Sequence, residues 1–240
     1  MLVEIWSDVV CPWCYIGKRQ FEAALTSFPH RDEVSVEWRS FELDPNAPAR
    51  RQLSTKEQLA KKYGMTEDQA EAATDRVTGV ATEVGLDFRW DDAKSGNTFD
   101  AHRLIHLAAT HGLGGEAKEA LMAAYFTNGV PIGERAALEQ VAKEVGLDAD
   151  EVRVALDDGA FADEVRADEQ LAGELGISAV PFFVIDRAIG VPGAQTPDVL
   201  LSALDQAWAK SHPLTIVGGT ADDTDIGESG EACSDGSCPV

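Results

Sequence analysis

Asp8-Val9-Val10-Cys11-Pro12-Trp13-Cys14-Tyr15-Ile16-Gly17 is the stretch around which the rest of the chain is organised. Ahead of it runs Leu2-Val3-Glu4-Ile5-Trp6, an apolar segment with the length and composition of a buried strand. Behind it Ile16, Gln20, Ala23, Ala24 and Leu25 continue as a helix, predicted over 12–28. Two cysteines two residues apart, set where a strand gives way to a helix, form a dithiol able to close a small disulfide loop. The first N–H groups of a helix lack intrahelical acceptors and together carry roughly +0.5 charge. That field favours thiolate over thiol and is expected to act on an exposed Cys11. Pro12 suits the first helical turn, where its missing N–H has no partner to lose. The residues read as a site of thiol–disulfide exchange. Half of a metal site, or two inert thiols, are the alternatives that the pair alone leaves open.

Composition narrows the field. With 240 residues the chain can form one large domain or a domain carrying an insertion. Its 42 Asp and Glu against 20 Lys and Arg give a formal charge of −22. Such a surface repels phosphate backbones and anionic lipid, so neither nucleic acid nor membrane is expected as a partner. No apolar run approaches the roughly 18 residues of a spanning helix. The start lacks a basic n-region, and Glu4 and Asp8 interrupt its only apolar stretch, so no secretory leader is read and the cytoplasm is expected. In that reducing compartment paired cysteines are redox-active or metal-binding more often than structural.

Further along, Val34-Ser35-Val36-Glu37-Trp38-Arg39 alternates apolar and polar, the period of a half-buried strand. Asp44-Pro45-Asn46-Ala47-Pro48 breaks that pattern and marks a boundary. From about 50 to about 175 the signals are helical. Ser54 with Glu57 and Thr66 with Gln69 have capping-box spacing, while Gly64, Gly85, Gly112 and Gly146 sit where helices stop. Asn97 or Thr98 is positioned to cap a helix through Leu104 and Leu107, and Asp148 with Glu151 begins another. After Gly176 the pattern reverts: Val180-Pro181 leads into the strand Phe182-Phe183-Val184-Ile185, Asp186-Arg187 turns the chain into a strand at about 188–191, and Pro197 opens a last helix.

The order is strand, helix, strand, long helical insert, strand, strand, helix. It describes an α/β chain with a thioredoxin-like fold and a large all-helical domain inserted in its middle. The expected division is a discontinuous thioredoxin-like domain over 1–44 and 176–210, a helical insertion over 45–175, and a tail over 211–240. The tail has six acidic residues, no Lys or Arg, and Cys233 and Cys238. It lacks the apolar area to offset its ordering entropy, so it is expected to be flexible. Its cysteines read as a mobile electron relay to the Cys11 pair, as inert thiols, or as part of a zinc site.

Cys11-Pro12-Trp13-Cys14 after a first strand, a helical insert, and Val180-Pro181 before a Phe-rich strand resemble the DsbA family of thioredoxin-fold oxidoreductases. Ser7-Asp8-Val9-Val10-Cys11-Pro12-Trp13-Cys14-Tyr15-Ile16-Gly17, with Asn97-Thr98-Phe99-Asp100-Ala101-His102-Arg103, is similar more narrowly to its FrnE-like branch. The likeness covers about 2–210. It implies that Cys11 is the attacking thiolate and Cys14 the resolving cysteine. It implies that Pro181 is a cis-proline facing the dithiol and that Val180 offers backbone groups to an extended substrate. Pro12 and Trp13 would shape the site, Trp13 as an apolar rim. His102 matches the insert motif; it reads as a cation near the dithiol that would favour thiolate, or as a surface or packing histidine. The implied partners are protein or small-molecule thiols and disulfides. No cofactor is implied beyond the redox-active disulfide, with glutathione a candidate co-substrate. The direction of electron flow and the oligomeric state stay open. Two other functions share these features: a glutathione-dependent isomerase of the same fold, which typically presents a single nucleophile, and a holdase-like chaperone module.

Two further patterns carry less. His102 and His106 lie four apart, the spacing of two metal ligands on a helix, but no third ligand is evident and no metal is expected. Gly112-Leu113-Gly114-Gly115-Glu116-Ala117 matches a dinucleotide-binding pattern in letters, yet it follows a helix where that motif follows a strand.

Overall fold

Strand β1 (Leu2–Ser7) lies inside a four-stranded sheet of order β2-β1-β3-β4. In the computed structural model, which describes residues 1–213, β1 runs parallel to β2 (Ser35–Ser40), with Leu2 opposite Ser35 and Ser7 opposite Ser40. On its other side β3 (Phe182–Ile185) is antiparallel, with Val3 opposite Ile185, and β4 (Ile189–Pro192) pairs antiparallel with β3. A parallel neighbour requires a crossover, which α1 (Pro12–Ser27) and a short 3-10 turn at Arg31–Glu33 provide. The β3–β4 connection turns at Asp186 and Arg187, both with positive φ (48° and 54°). Asp186 sits there partly because its Oδ1 accepts the Leu2 N–H at 2.7 Å, tying the turn to the first strand.

The alternation of β1 is buried on both faces. Val3 and Ile5 face α1 and α9 (Pro197–Ser211), in a core with Phe21, Phe28, Phe183 and Leu204. Trp6 faces the other side, packs with Ala172, Ile177 and Val184, and donates its indole N–H to the Asp168 carbonyl at 2.9 Å. Glu4 is also on that face, fully buried. Arg39 reaches its carboxylate at 2.6 Å and Arg187 at 2.6 Å, so the charge is paired by two guanidinium groups.

Between β2 and β3 come α2 (Thr55–Tyr63), α3 (Glu67–Glu83), α4 (Phe99–Thr110), α5 (Gly114–Phe126), α6 (Arg135–Val145), α7 (Ala149–Asp157) and α8 (Ala162–Glu174). Both expected capping boxes form: Ser54 Oγ accepts from Glu57 N–H at 3.2 Å, and Thr66 Oγ1 from Gln69 N–H at 3.3 Å. Gly64 and Gly146 end α2 and α6 in the left-handed region, at φ 65° and 96°. At α4 the cap is Asn97, whose Oδ1 accepts the Phe99 N–H at 2.9 Å; the Thr98 hydroxyl makes no cap bond. Leu104, Leu121, Met122, Phe126, Ile132 and Leu138 form the main helical core, and Val9, Cys14, Tyr15 and Ile16 belong to the same cluster. The dithiol helix is thus rooted in the inserted helices as well as in the sheet. Among the described residues no helix is long and apolar enough to cross a membrane. Cys233, Cys238 and most of the acidic tail lie outside the described residues.

Candidate active site

Cys11 is the N-cap of α1, in extended conformation at φ −88° and ψ 114°, and Pro12 takes the first helical position. Its carbonyl accepts from the Cys14 N–H at 3.0 Å and the Tyr15 N–H at 3.3 Å, which places Cys14 one turn into the helix. No acidic residue occupies the first turn of α1, so the positive end of the helix dipole acts there unopposed. Both thiols are free. Opposite them, the Val180–Pro181 peptide bond is cis, and the Cys11 thiol donates to the Val180 carbonyl at 3.6 Å. The site therefore gathers Cys11, Cys14, Val180 and Pro181, with Pro12 and the exposed Trp13 at its edge.

Gly17 makes this approach possible. A Cβ at that position would lie 2.9 Å from Pro181 Cγ and 3.5 Å from Ala194 Cβ. Helix α1 and the Pro181 loop are closer than any side chain allows, which accounts for a glycine inside a helix.

Two expectations need correcting. Cys11 is not exposed: it retains 5% of its accessible surface and Cys14 retains 1%. Val180 packs against the cluster that holds both cysteines. Nor is His102 a cation beside the dithiol. It is buried, with Nε2 3.4 Å from Asp8 Oδ1, and neither atom has another partner. Burial lowers the His102 pKa below its ordinary value, with Asp8 working in the opposite direction. For Asp8 the balance runs the other way. Burial opposes its charge, but His102, the Leu43 N–H at 2.8 Å and Lys118 hold its carboxyl below the usual range.

The cation at this site is Lys118 of α5, which is fully buried. Its ammonium donates to the Ser7 carbonyl at 3.0 Å and stands 5.7 Å from the centroid of the Trp38 ring. Burial lowers its pKa to about 8, while Cys14, Asp8 and Cys11 pull it back up. Cys14 is the complementary group. Burial and the neighbouring Cys11 push its thiol pKa well up, and Lys118 is the main opposing influence. A clamp holds α5 in place: Glu119, next to Lys118, accepts from Tyr15 Oη at 2.6 Å, Lys18 Nζ at 2.6 Å and Arg19 Nη1 at 2.9 Å, all from α1.

His106 turns away from His102. Its Nε2 lies 3.1 Å from Asp168 Oδ2 and 3.1 Å from Ser40 Oγ, so the two histidines serve separate carboxylates. Gly112 and Leu113 form the turn from α4 into α5, and 114–117 are the start of α5.

Comparison with known proteins agrees with this geometry. Residues 2–205 match the DSBA-like thioredoxin domain. The chain is 46% identical to a probable DsbA oxidoreductase from Streptomyces coelicolor, and the two structures superpose with a TM-score of 0.85 over 93% of this chain and 97% of the other. It is 29% identical over 210 residues to the uncharacterized protein YwbO of Bacillus subtilis, covering 87% of this chain and 98% of that one. Its fold is also similar to that of the cytosolic disulfide reductase DsbM from Pseudomonas aeruginosa, at 16% identity and a TM-score of 0.61, over 88% of this chain and 100% of that one.

Proposed function

Because the chain belongs to the DSBA-like thioredoxin domain family and is a thiol–disulfide oxidoreductase, we propose that Cys11 attacks and Cys14 resolves. The Cys11 thiolate attacks one sulfur of a substrate disulfide. A Cys11–substrate disulfide forms, the substrate S–S bond breaks, and the first substrate thiolate leaves. Cys14 then attacks Cys11 Sγ, closing the Cys11–Cys14 disulfide and expelling the second substrate thiolate, which takes up the proton Cys14 gives away. Two electrons pass from the dithiol to the substrate. Two equivalents of an external thiol, glutathione among the candidates, restore the dithiol and are themselves oxidised to a disulfide. Run backwards, the same steps oxidise a substrate dithiol.

One observation carries this assignment of roles: the two sulfurs are inequivalent. Cys11 sits at the N-cap against the Val180 carbonyl, and Cys14 lies a turn deeper with its thiol held protonated by burial. Val180 and Pro181 present main-chain groups along which an extended substrate can lie. Lys118 supports the resolving step by stabilising the Cys14 thiolate as its proton departs. Cys11→Ser is expected to abolish exchange. Cys14→Ser is expected to accumulate the mixed disulfide, visible by mass spectrometry of the intact protein. Full turnover by Cys11→Ser overturns the assignment, and turnover without Cys14 favours a glutathione-dependent isomerase.

The equilibrium reduction potential decides the direction. A value near the roughly −270 mV of thioredoxin makes the protein a reductase, and one near the roughly −120 mV of DsbA makes it an oxidant. A reductase, as the cytosolic P. aeruginosa relative is described, is the direction proposed. In the tail, Cys233 and Cys238 are proposed to pass electrons between the Cys11 pair and its external partner. Truncation after Pro213 then slows steady-state recycling and spares single-turnover exchange; unchanged steady-state rates exclude the relay.

A further inference from the structure

We propose that the cleft walled by Asp8 and Val10, in the loop that leads into Cys11, is a specificity subsite for disulfides bearing carboxylates, an inference that rests on the exchange chemistry assigned to Cys11. The cleft has a volume of about 660 Å³, within the roughly 300–1,000 Å³ of small-molecule sites. Val10, the residue before Cys11, forms part of its wall, so a group attached to Cys11 through a disulfide has this space within reach.

The lining has two characters. Leu43 and Leu53 are 40% and 42% exposed, large apolar side chains left open at the mouth. Arg51, Lys61 and Lys62 bring three cations to one cleft of a chain whose formal charge is −22. The two carboxylates in the lining are already engaged: Asp44 pairs with Arg51, and Asp8 faces His102 and the Leu43 N–H. The lysines pair with no carboxylate, although Lys62 Nζ stands 5.7 Å from the centroid of the Tyr63 ring. Lys56, earlier on the same helix, is paired with Asp91 at 3.1 Å and Glu71 at 3.4 Å. Among the described residues no carboxylate comes within 4.0 Å of Lys61 or Lys62. Both lie in the last turn of α2, where cations favour the helix dipole. A purely helix-stabilising role leaves substrate choice untouched, whereas a subsite makes exchange depend on substrate charge.

The test uses the full chain and three small disulfides: dithiodiglycolate with two carboxylates, neutral 2-hydroxyethyl disulfide, and cystamine with two ammonium groups. Each kcat/KM is divided by the rate of dithiothreitol with the same disulfide, which removes intrinsic reactivity. At an ionic strength of about 0.15 M only charges within roughly 8 Å act strongly, so the distant acidic surface is screened. The normalised rate is expected to be roughly three- to tenfold higher for dithiodiglycolate than for the neutral disulfide, and lowest for cystamine. Lys61→Glu and Lys62→Glu should each shrink or invert that ratio. Lys210→Glu, the same charge change on α9, should leave it alone. α2 has no buried residue, so these substitutions leave the core intact. Equal or reversed preference in the wild type overturns the subsite, as does a shift in Lys210→Glu as large as in Lys61→Glu. Turnover of none of the three disulfides overturns the exchange reading and the subsite with it.

Discussion

Replacing Lys118 by methionine should make the protein more stable and less able to resolve its mixed disulfide. Lys118→Met keeps the length of the side chain and deletes the buried ammonium. Burial holds the lysine at about 8, against an ordinary value of 10.5, and each pH unit of such a gap corresponds to about 1.4 kcal/mol. Keeping the charge inside the fold at pH 7 therefore costs about 3 kcal/mol. The unfolded chain holds this proton more tightly, so unfolding takes up protons between about pH 8 and 10.5. Through that window the penalty eases as pH rises; below pH 8 it is complete. Against this, the variant leaves the Ser7 carbonyl without its donor at 3.0 Å, a loss of about 1–2 kcal/mol. The net expectation is a gain of about 1–2 kcal/mol at pH 7, smaller by roughly 1 kcal/mol at pH 9.

Urea denaturation of the reduced wild type and the variant at both pH values measures this difference. Comparing the two proteins at each pH also removes most of the contribution of Cys14, whose raised pKa acts in the opposite direction. In the same variant, release of a mixed disulfide from Cys11 should slow by about tenfold, since one charge interaction of about 1.4 kcal/mol is lost at the forming thiolate. A variant less stable than wild type at pH 7, or a stability gap that does not change between pH 7 and 9, refutes the reasoning about burial. An unchanged resolution rate refutes the role of the ammonium.

Gly17→Ala gains up to about 1 kcal/mol of helix propensity but drives a methyl to 2.9 Å from Pro181 Cγ, an overpacking that costs about 1–3 kcal/mol. We expect a lower melting temperature and roughly tenfold slower exchange with both thiols still titratable; wild-type values for both would mean that the loop gives way freely. His102→Asn tests the buried imidazole. Because burial lowers its folded pKa below 6.5, the unfolded chain takes up a proton the native state resists, and native stability falls as pH drops below about 6.5. The variant should flatten that slope between about pH 6.5 and 5, and a slope equal to wild type contradicts the assignment.

Local chemistry accounts for what the sequence made legible. Capping side chains at Ser54 and Thr66, helix stops at Gly64 and Gly146, and the Asp186-Arg187 turn depend on neighbours within a few residues, and each lies where it was expected. The dithiol, the helix it caps and the proline opposite it were readable for the same reason, aided by a family resemblance. Burial is a tertiary property, and there the reading failed. Cys11 is covered by Val180, which is 169 residues away in the chain. Lys118 was one cation among 20 Lys and Arg, yet a signal existed. It lies three and four residues before Leu121 and Met122, on the apolar stripe of α5, where a lysine must have a reason. Gly17 carried a similar mark, since a glycine inside a helix asks what comes close to it. Of the two readings of His102, a cation near the dithiol or a packing histidine, the buried pocket with one carboxylate favours the second and a neutral ring.

The order of the strands also sets a schedule for the protein's own synthesis. β1 is made before its antiparallel partner β3, which follows about 180 residues later. At roughly 5–20 residues per second, a ribosome needs on the order of ten to thirty-five seconds to bridge that gap. β2 and the helices that share a core with Cys14 emerge within it, but Val180 and Pro181 come near its close. A nascent chain therefore displays Cys11 without the segment that later shields it, for longer than most small domains take to fold. A thiol that is buried in the finished protein thus stands open to oxidants while the protein is being built.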